Sequence, residues 1–209
     1  MRSLTRRLFA LAAWLACFML AGVLVEGSQV RSLNLEELTG RADRIFTGRC
    51  LSVRSIPHPQ LGAVEQVTFE VEESIKGHLG SRLTIRVLPS TLGAPSSFRF
   101  TEGERVLLFL YRDSELGLTS PVAMGQGRFA IATDKQGRSF AVNARGAGPL
   151  VRGLSEDARG LLGEAVRGWE GKSDLPLSDL IRGTKALLDA PGGAAHGHDN
   201  KDAAVEPAP

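Results

Sequence analysis

Apolar and polar side chains alternate every second residue through the middle of the chain, the period of a strand with one dry and one wet face. Val67, Phe69 and Val71 are separated by Thr68, Glu70 and Glu72, and Leu83, Ile85 and Val87 by Thr84 and Arg86. Lys76-Gly77-His78-Leu79-Gly80 lies between the two runs, so an antiparallel hairpin is expected. Upstream, Ile45 to Arg54 is strand-like with Gly48 inside it, the mark of a bulge or sharp bend, and Pro57-His58-Pro59 with Gly62 is expected to break that run. Past a Pro-, Gly- and Ser-rich loop at 89–97, Phe98 and Phe100 flank Arg99, and Glu102-Gly103-Glu104 makes a turn. Val106 to Tyr111 is then apolar on both faces, which predicts a central strand covered on both sides. Phe129 and Ile131, the turn Asp134-Lys135-Gln136-Gly137, and Phe140 with Val142 give a further hairpin. Six strands within about 100 residues, with little helix between them, favour a mainly β chain built as a small antiparallel barrel or sandwich over a parallel sheet.

Helical spacing appears only at the two ends of this region. Asn34 followed by Glu37, with Leu35 and Leu38 on one face, is a capping box and predicts a short helix over 34–42. After Pro149, Leu161, Leu162, Ala165 and Val166 recur at helical intervals, and Pro176 and Ser178 precede a second run of Leu180, Ile181, Leu187 and Leu188. Gly160, Gly163, Gly168 and Gly183 weaken both, each by about 1 kcal/mol relative to Ala, so these helices need tertiary support. From residue 190 to 209 there is little to bury, and a disordered tail is expected.

The N-terminus has a different logic. Arg2, Arg6 and Arg7 precede an unbroken apolar run from Leu8 to Val25, followed by Glu26, Gly27 and Ser28, the order of a secretory signal peptide. Val25 and Gly27 suit the small-residue pockets of a signal peptidase, so cleavage is placed after Gly27, with Ala21 or Gly22 as earlier options. At about 27 Å as a helix the run is at the lower edge of what spans a bilayer, so an uncleaved anchor is the alternative, and only then would the membrane be a partner. Thr5-Arg6-Arg7-Leu8-Phe9 resembles a twin-arginine motif without its following Lys. Cys17, preceded by Leu15 and Ala16, lacks the polar sequence a lipoprotein would have after it. Either way the expected location is exported, periplasmic or extracellular.

Composition narrows the function. The chain has 209 residues, 43% hydrophobic and 23% charged, with formal net charge +2. Residues 28–209 hold 22 basic and 22 acidic side chains. No charge surplus favours a nucleic acid. Locally the balance divides: 28–154 carry 16 basic against 12 acidic groups, and 155–209 carry 6 against 10. The acidic part could lie against the basic one, although dispersed surface charge is the simpler reading. Beyond the leader Cys50 is the one cysteine, so no intramolecular disulfide is available and Cys50 is expected to be a small buried hydrophobe.

No concentrated chemistry emerges. Gly125-Gln126-Gly127 leads into a strand where a phosphate-cradling loop needs a helix, so it is read as a bulge or turn. His58 and His78 fall in expected loops. His196 and His198 lie close together in the tail, where two imidazoles could pick up a stray divalent ion without forming a site. There is no Gly-x-Ser-x-Gly, and the pairs Glu36-Glu37 and Glu72-Glu73 read as solvated faces. No catalytic, cofactor-binding or metal-binding residue is named, no cofactor is expected, and the chain is expected not to be an enzyme.

Three segments carry a family likeness: Ala42-Asp43-Arg44-Ile45-Phe46-Thr47-Gly48-Arg49, then Val67-Thr68-Phe69-Glu70-Val71 running into Ile75-Lys76-Gly77, then Phe100 through Leu110. Together, over about residues 35–145, they resemble the netrin-like and tissue-inhibitor-of-metalloproteinase domains, and more nearly uncharacterised exported bacterial proteins of similar plan. The resemblance implies an OB-like β-barrel that binds another protein rather than transforming a small molecule. Inhibitors of that type chelate zinc through an N-terminal cysteine. Here the expected mature start is Ser28-Gln29, so no inhibitory residue carries over.

The expected organisation is a signal peptide over 1–27, a barrel over 28–150, a helical extension over 151–189 and a tail over 190–209. The expected function is an exported, non-catalytic protein-binding or accessory module, with another exported protein as its partner. A metalloprotease inhibitor acting by surface occlusion and an enzyme with a site not visible in sequence are the alternatives.

Overall fold

The computed structural model describes residues 31–89 and 99–190. The leader, most of the 89–97 loop, the pair His196 and His198 and the tail past Ala190 lie outside the described residues. From Ser32 onward the described chain forms one compact unit.

Helix α1 (Leu35–Arg41) opens it, and its cap is the one expected from sequence. Asn34 Oδ1 accepts from the Glu37 N–H, and the Glu37 carboxylate accepts from the Asn34 N–H. Strands β1 (Arg44–His58) and β2 (Gly62–Lys76) form a long antiparallel hairpin, and β3 (Arg82–Val87) pairs with β2 as expected. The β1–β2 register shifts between Thr47 and Gly48, where a Cβ on Gly48 would come 2.6 Å from the Glu70 carbonyl oxygen. The bend at that glycine is a close backbone approach that no side chain fits.

Pro57 does not break β1. Beyond Cys50, which still exchanges backbone bonds with Glu104 and Gly103, β1 has no ladder partner on its other side, and the Val53 N–H points away from β2 to the Glu102 carboxylate. Pro57 shares that direction four residues on, so its missing N–H removes no ladder bond.

Strand β4 (Arg105–Leu110) is central, paired with β1 on one side and with β5 (Arg128–Thr133) on the other. Its faces enter two cores. Leu107 and Phe109 join a core closed by the helices, whereas Val106, Leu108 and Leu110 join a core walled by Phe46, Phe69, Ile85 and Phe100. In the second, Phe69 stands edge-on to Phe46 and Phe100 at 5.5 and 5.4 Å. β6 (Ser139–Val142) returns along β5, and a short strand β7 (Asp174–Pro176), with no alternation to reveal it, pairs with β6.

The expected OB-like barrel is not formed. The structure is mainly β, a seven-stranded antiparallel sheet in the order β3-β2-β1-β4-β5-β6-β7, open between β3 and β7. Helices cover one face instead: α2 (Gly148–Val151), α3 (Glu156–Leu162), α4 (Glu164–Arg167) and α5 (Leu177–Asp189). Helix α5 leaves β7 directly, and its Lys185 reaches Glu73 on β2 at 2.7 Å. The chain that leaves β7 thus continues as helix packed on the sheet, and β7 and β3 remain unpaired with each other. Leu162, Trp169, Leu180 and Leu187 share one core with Leu35, Leu38 and Phe109.

The first helical run after Pro149 divides at Gly163, whose φ of 56° ends α3 before α4 begins. Gly183 has a packing role: a Cβ there would meet Leu162 Cδ2 at 2.7 Å, so its absence lets α5 approach α3. The charge division does not organise the docking, since Lys185 of the acidic part meets Glu73 of the basic one.

Candidate functional site

Helix α5 carries two stripes. Leu177, Leu180, Gly183, Thr184 and Leu187 are buried, with the Thr184 hydroxyl donating to the Leu180 carbonyl at 2.8 Å. The second stripe, at 178, 181, 182, 185, 186 and 189, recurs at helical spacing and lines an open groove of about 950 Å³. That volume is in the range of ligand pockets. Phe140 and Pro176, neighbours across the β6–β7 ladder, supply the far wall. The floor is apolar, made by Phe140, Pro176, Leu177, Ile181 and Ala186.

Charge sits at the rim, and its cations are already engaged. Arg138 bonds Asp134 at 2.7 Å and lies over the Phe140 ring at 5.7 Å. Arg182 bonds Asp179 and Lys185 bonds Glu73, each at 2.7 Å. Asp134 also accepts from the backbone N–H groups of Gln136 and Arg138, which shapes the turn beside the groove. Burial works against its charge, yet these bonds together hold its carboxyl below the usual range. The arrangement can take up an apolar side chain between fixed charges of both signs. Ser139 and Ser178 line the groove together with the carboxylates Glu73 and Asp189, and among the described residues no histidine does.

Residues singled out from sequence lie elsewhere, apart from Glu73. Cys50 is 1% exposed in the second core, and its thiol is pushed up to about 11, first by burial and then by Glu104 and Glu102. His58 is half-buried at the end of β1, its ring 3.2 Å from the Leu116 carbonyl oxygen, and His78 is exposed in the turn after β2. Gly125-Gln126-Gly127 follows a left-handed turn in which Ala123 and Met124 both have positive φ, 53° and 52°. The Gln126 side chain accepts from the Leu33 N–H at 2.9 Å. Gly127 lies so close to β4 that a Cβ would meet the Phe109 carbonyl oxygen at 2.8 Å.

The carboxylate pairs fasten elements together rather than standing as solvated faces. Glu36 accepts from the N–H and hydroxyl of Ser155, and Glu37 caps α1. Glu72 accepts from both Nε and Nη2 of Arg105, and these bonds hold its carboxyl below the ordinary range despite partial burial. Sequence reading missed the groove because α5 shows apolar residues on both stripes, and only the position of β7 decides which stripe is covered. It also missed Arg128, which lies over Phe100 at 5.5 Å and bonds both oxygens of Glu104 at 2.6 and 2.7 Å, closing the end of the second core.

Among the described residues no group of three His, Cys, Asp or Glu could hold a metal ion, and no helix is long and apolar enough to cross a membrane. No protein-family model matches the sequence, and no curated protein matches it.

Proposed function

We propose that this chain is an exported, non-catalytic protein-binding module and that the groove along α5 is its contact surface. The observation that carries the reading is an apolar floor left open between rim cations that are each paired within the fold. A partner side chain that covers Phe140 and Ile181 gains burial without having to desolvate an unpaired cation, which suits protein recognition. The non-catalytic part of the reading is supported by how the groups are committed: Glu73 serves Lys185, and among the described residues no imidazole or thiolate lines the groove with its hydroxyls. Export is supported by the charged, apolar and small-residue order of residues 1–27.

In-cell crosslinking of the exported chain, followed by identification of what it holds, tests this reading. Ala186→Arg and Ile181→Glu spoil the floor, whereas Leu161→Glu alters an exposed residue of α3. The groove variants should lose the partner and keep their thermal unfolding transition, and Leu161→Glu should retain the partner. An identical set of partners for all three variants would overturn the assignment.

A further inference from the structure

The open side of the sheet ends at β3, and the backbone of that strand is turned outward at alternate residues. Ser81 C=O accepts from the Val71 N–H, so odd-numbered positions face β2. Arg86 C=O accepts from the Thr119 N–H on the opposite side, so even-numbered positions face away. The Thr68 and Thr84 hydroxyl oxygens are 3.1 Å apart, as expected for a directly opposed pair that exchanges no backbone bonds. The N–H and C=O of Arg82 and Thr84, with the Arg86 N–H, therefore form a free ladder edge. Among the described residues only Thr119 reaches it.

The charged side chains of β3 itself, Arg82 and Arg86, are both basic, and the one acidic neighbour in their rows is Glu70 beside Arg82. Register places Arg82 in a row with Glu70 and Arg49, Thr84 with Thr68 and Ser52, and Arg86 with Gln66 and Arg54. Arg54, Arg82 and Arg86 form no ion pair among the described residues, whereas the rim cations of the α5 groove are all paired.

We infer that the β3 edge accepts an extended acidic segment of a partner protein as an eighth strand, with backbone bonds to Arg82 and Thr84 and acidic side chains set against Arg82 and Arg86. Charge decides the occupant. A second copy of this chain, paired β3 to β3 in antiparallel fashion about Thr84, would set Arg82 opposite Arg86 twice, and like charges directly opposed are destabilising. An acidic strand reverses that sign, and strand addition to a sheet edge is a general mode of peptide recognition. The inference is independent of the α5 groove.

A fluorescent eight-residue peptide of alternating Thr and Glu, and its Thr-Lys counterpart, are titrated with the purified chain and followed by anisotropy. The Thr-Glu peptide should bind roughly tenfold or more tightly than the Thr-Lys peptide, and the charge-reversed double variant Arg82→Glu/Arg86→Glu should invert that preference. Thr84→Pro removes one outward N–H and the exposed hydroxyl contact to Thr68 while leaving the backbone bonds to β2 and all the arginines in place, so it should abolish binding without unfolding the chain. Thr84→Val, which loses only the hydroxyl, should still bind. Hydrogen exchange at Arg82 and Thr84 should slow when the Thr-Glu peptide is added. Equal binding by Thr84→Pro would show a charge surface without strand addition and overturn the inference, as would absence of any preference for the acidic peptide.

Discussion

Asn34 and Gly153 are 119 positions apart, and the Asn34 Nδ2 donates to the Gly153 carbonyl at 3.0 Å while its Oδ1 caps α1. One amide therefore starts the first helix and ties it to the segment between α2 and α3. Asn34→Asp keeps an acceptor for the cap and loses the donor, so it should cost about 1 kcal/mol. Asn34→Ala loses both and should cost roughly 2–3 kcal/mol. Urea unfolding midpoints check this. Equal midpoints for the two variants would mean that the tertiary bond contributes nothing.

Two glycines should respond to Ala with opposite sign. Gly48→Ala sets a methyl against the Glu70 carbonyl oxygen, where backbone must move, and should destabilise by about 1–3 kcal/mol. Gly160→Ala lies inside α3 with open space around it and should stabilise by about 1 kcal/mol. Thermal denaturation of both variants beside the parent measures the difference.

Cys50 should be inert in the folded chain. Its thiol is buried and its deprotonation is pushed to about 11, so little thiolate forms near neutral pH. Reaction with a disulfide reagent at about pH 8 should be slow and should accelerate with denaturant in step with unfolding. A rapid stoichiometric reaction in the native state would contradict the placement of Cys50 in the second core.

Acid should release the Glu72–Arg105 clasp. Its hydrogen bonds hold the Glu72 carboxyl below its usual value, so the unfolded chain takes up this proton first as pH falls. The stabilisation is complete above the ordinary Glu pKa of about 4.3 and disappears as pH drops through the lower folded value. Glu72→Gln should therefore cost up to about 1 kcal/mol near neutrality and less at about pH 2.5. Urea unfolding of both chains at the two pH values reads the difference.

Much of this fold is legible in local pattern. Asn34 and Glu37 announce their capping box, Gly48 its bend, and Val106 to Leu110 a strand with two dry faces, because each signal is complete within a few residues. Closure is not local. The sheet stays open between β3 and β7, and the docking of α5 after β7 rests on contacts far apart in sequence, Gly183 admitting Leu162 and Lys185 reaching Glu73. The groove is hidden for the same reason: Ile181 and Leu180 look alike in sequence, and only the ladder between Phe140 and Pro176 fixes which one is covered. The charge row along β3 was written in its alternation, but the outward direction of Arg82, Thr84 and Arg86 required the register.

Site-directed photo-crosslinking of the exported chain tests the groove most directly. With a benzophenone side chain placed in turn at Arg182, Ala186, Met124 and Leu161, a discrete adduct with one exported protein is predicted from the two groove positions and none from the two exposed control positions. Adducts of equal yield from all four, or from the controls alone, would contradict a contact surface along α5.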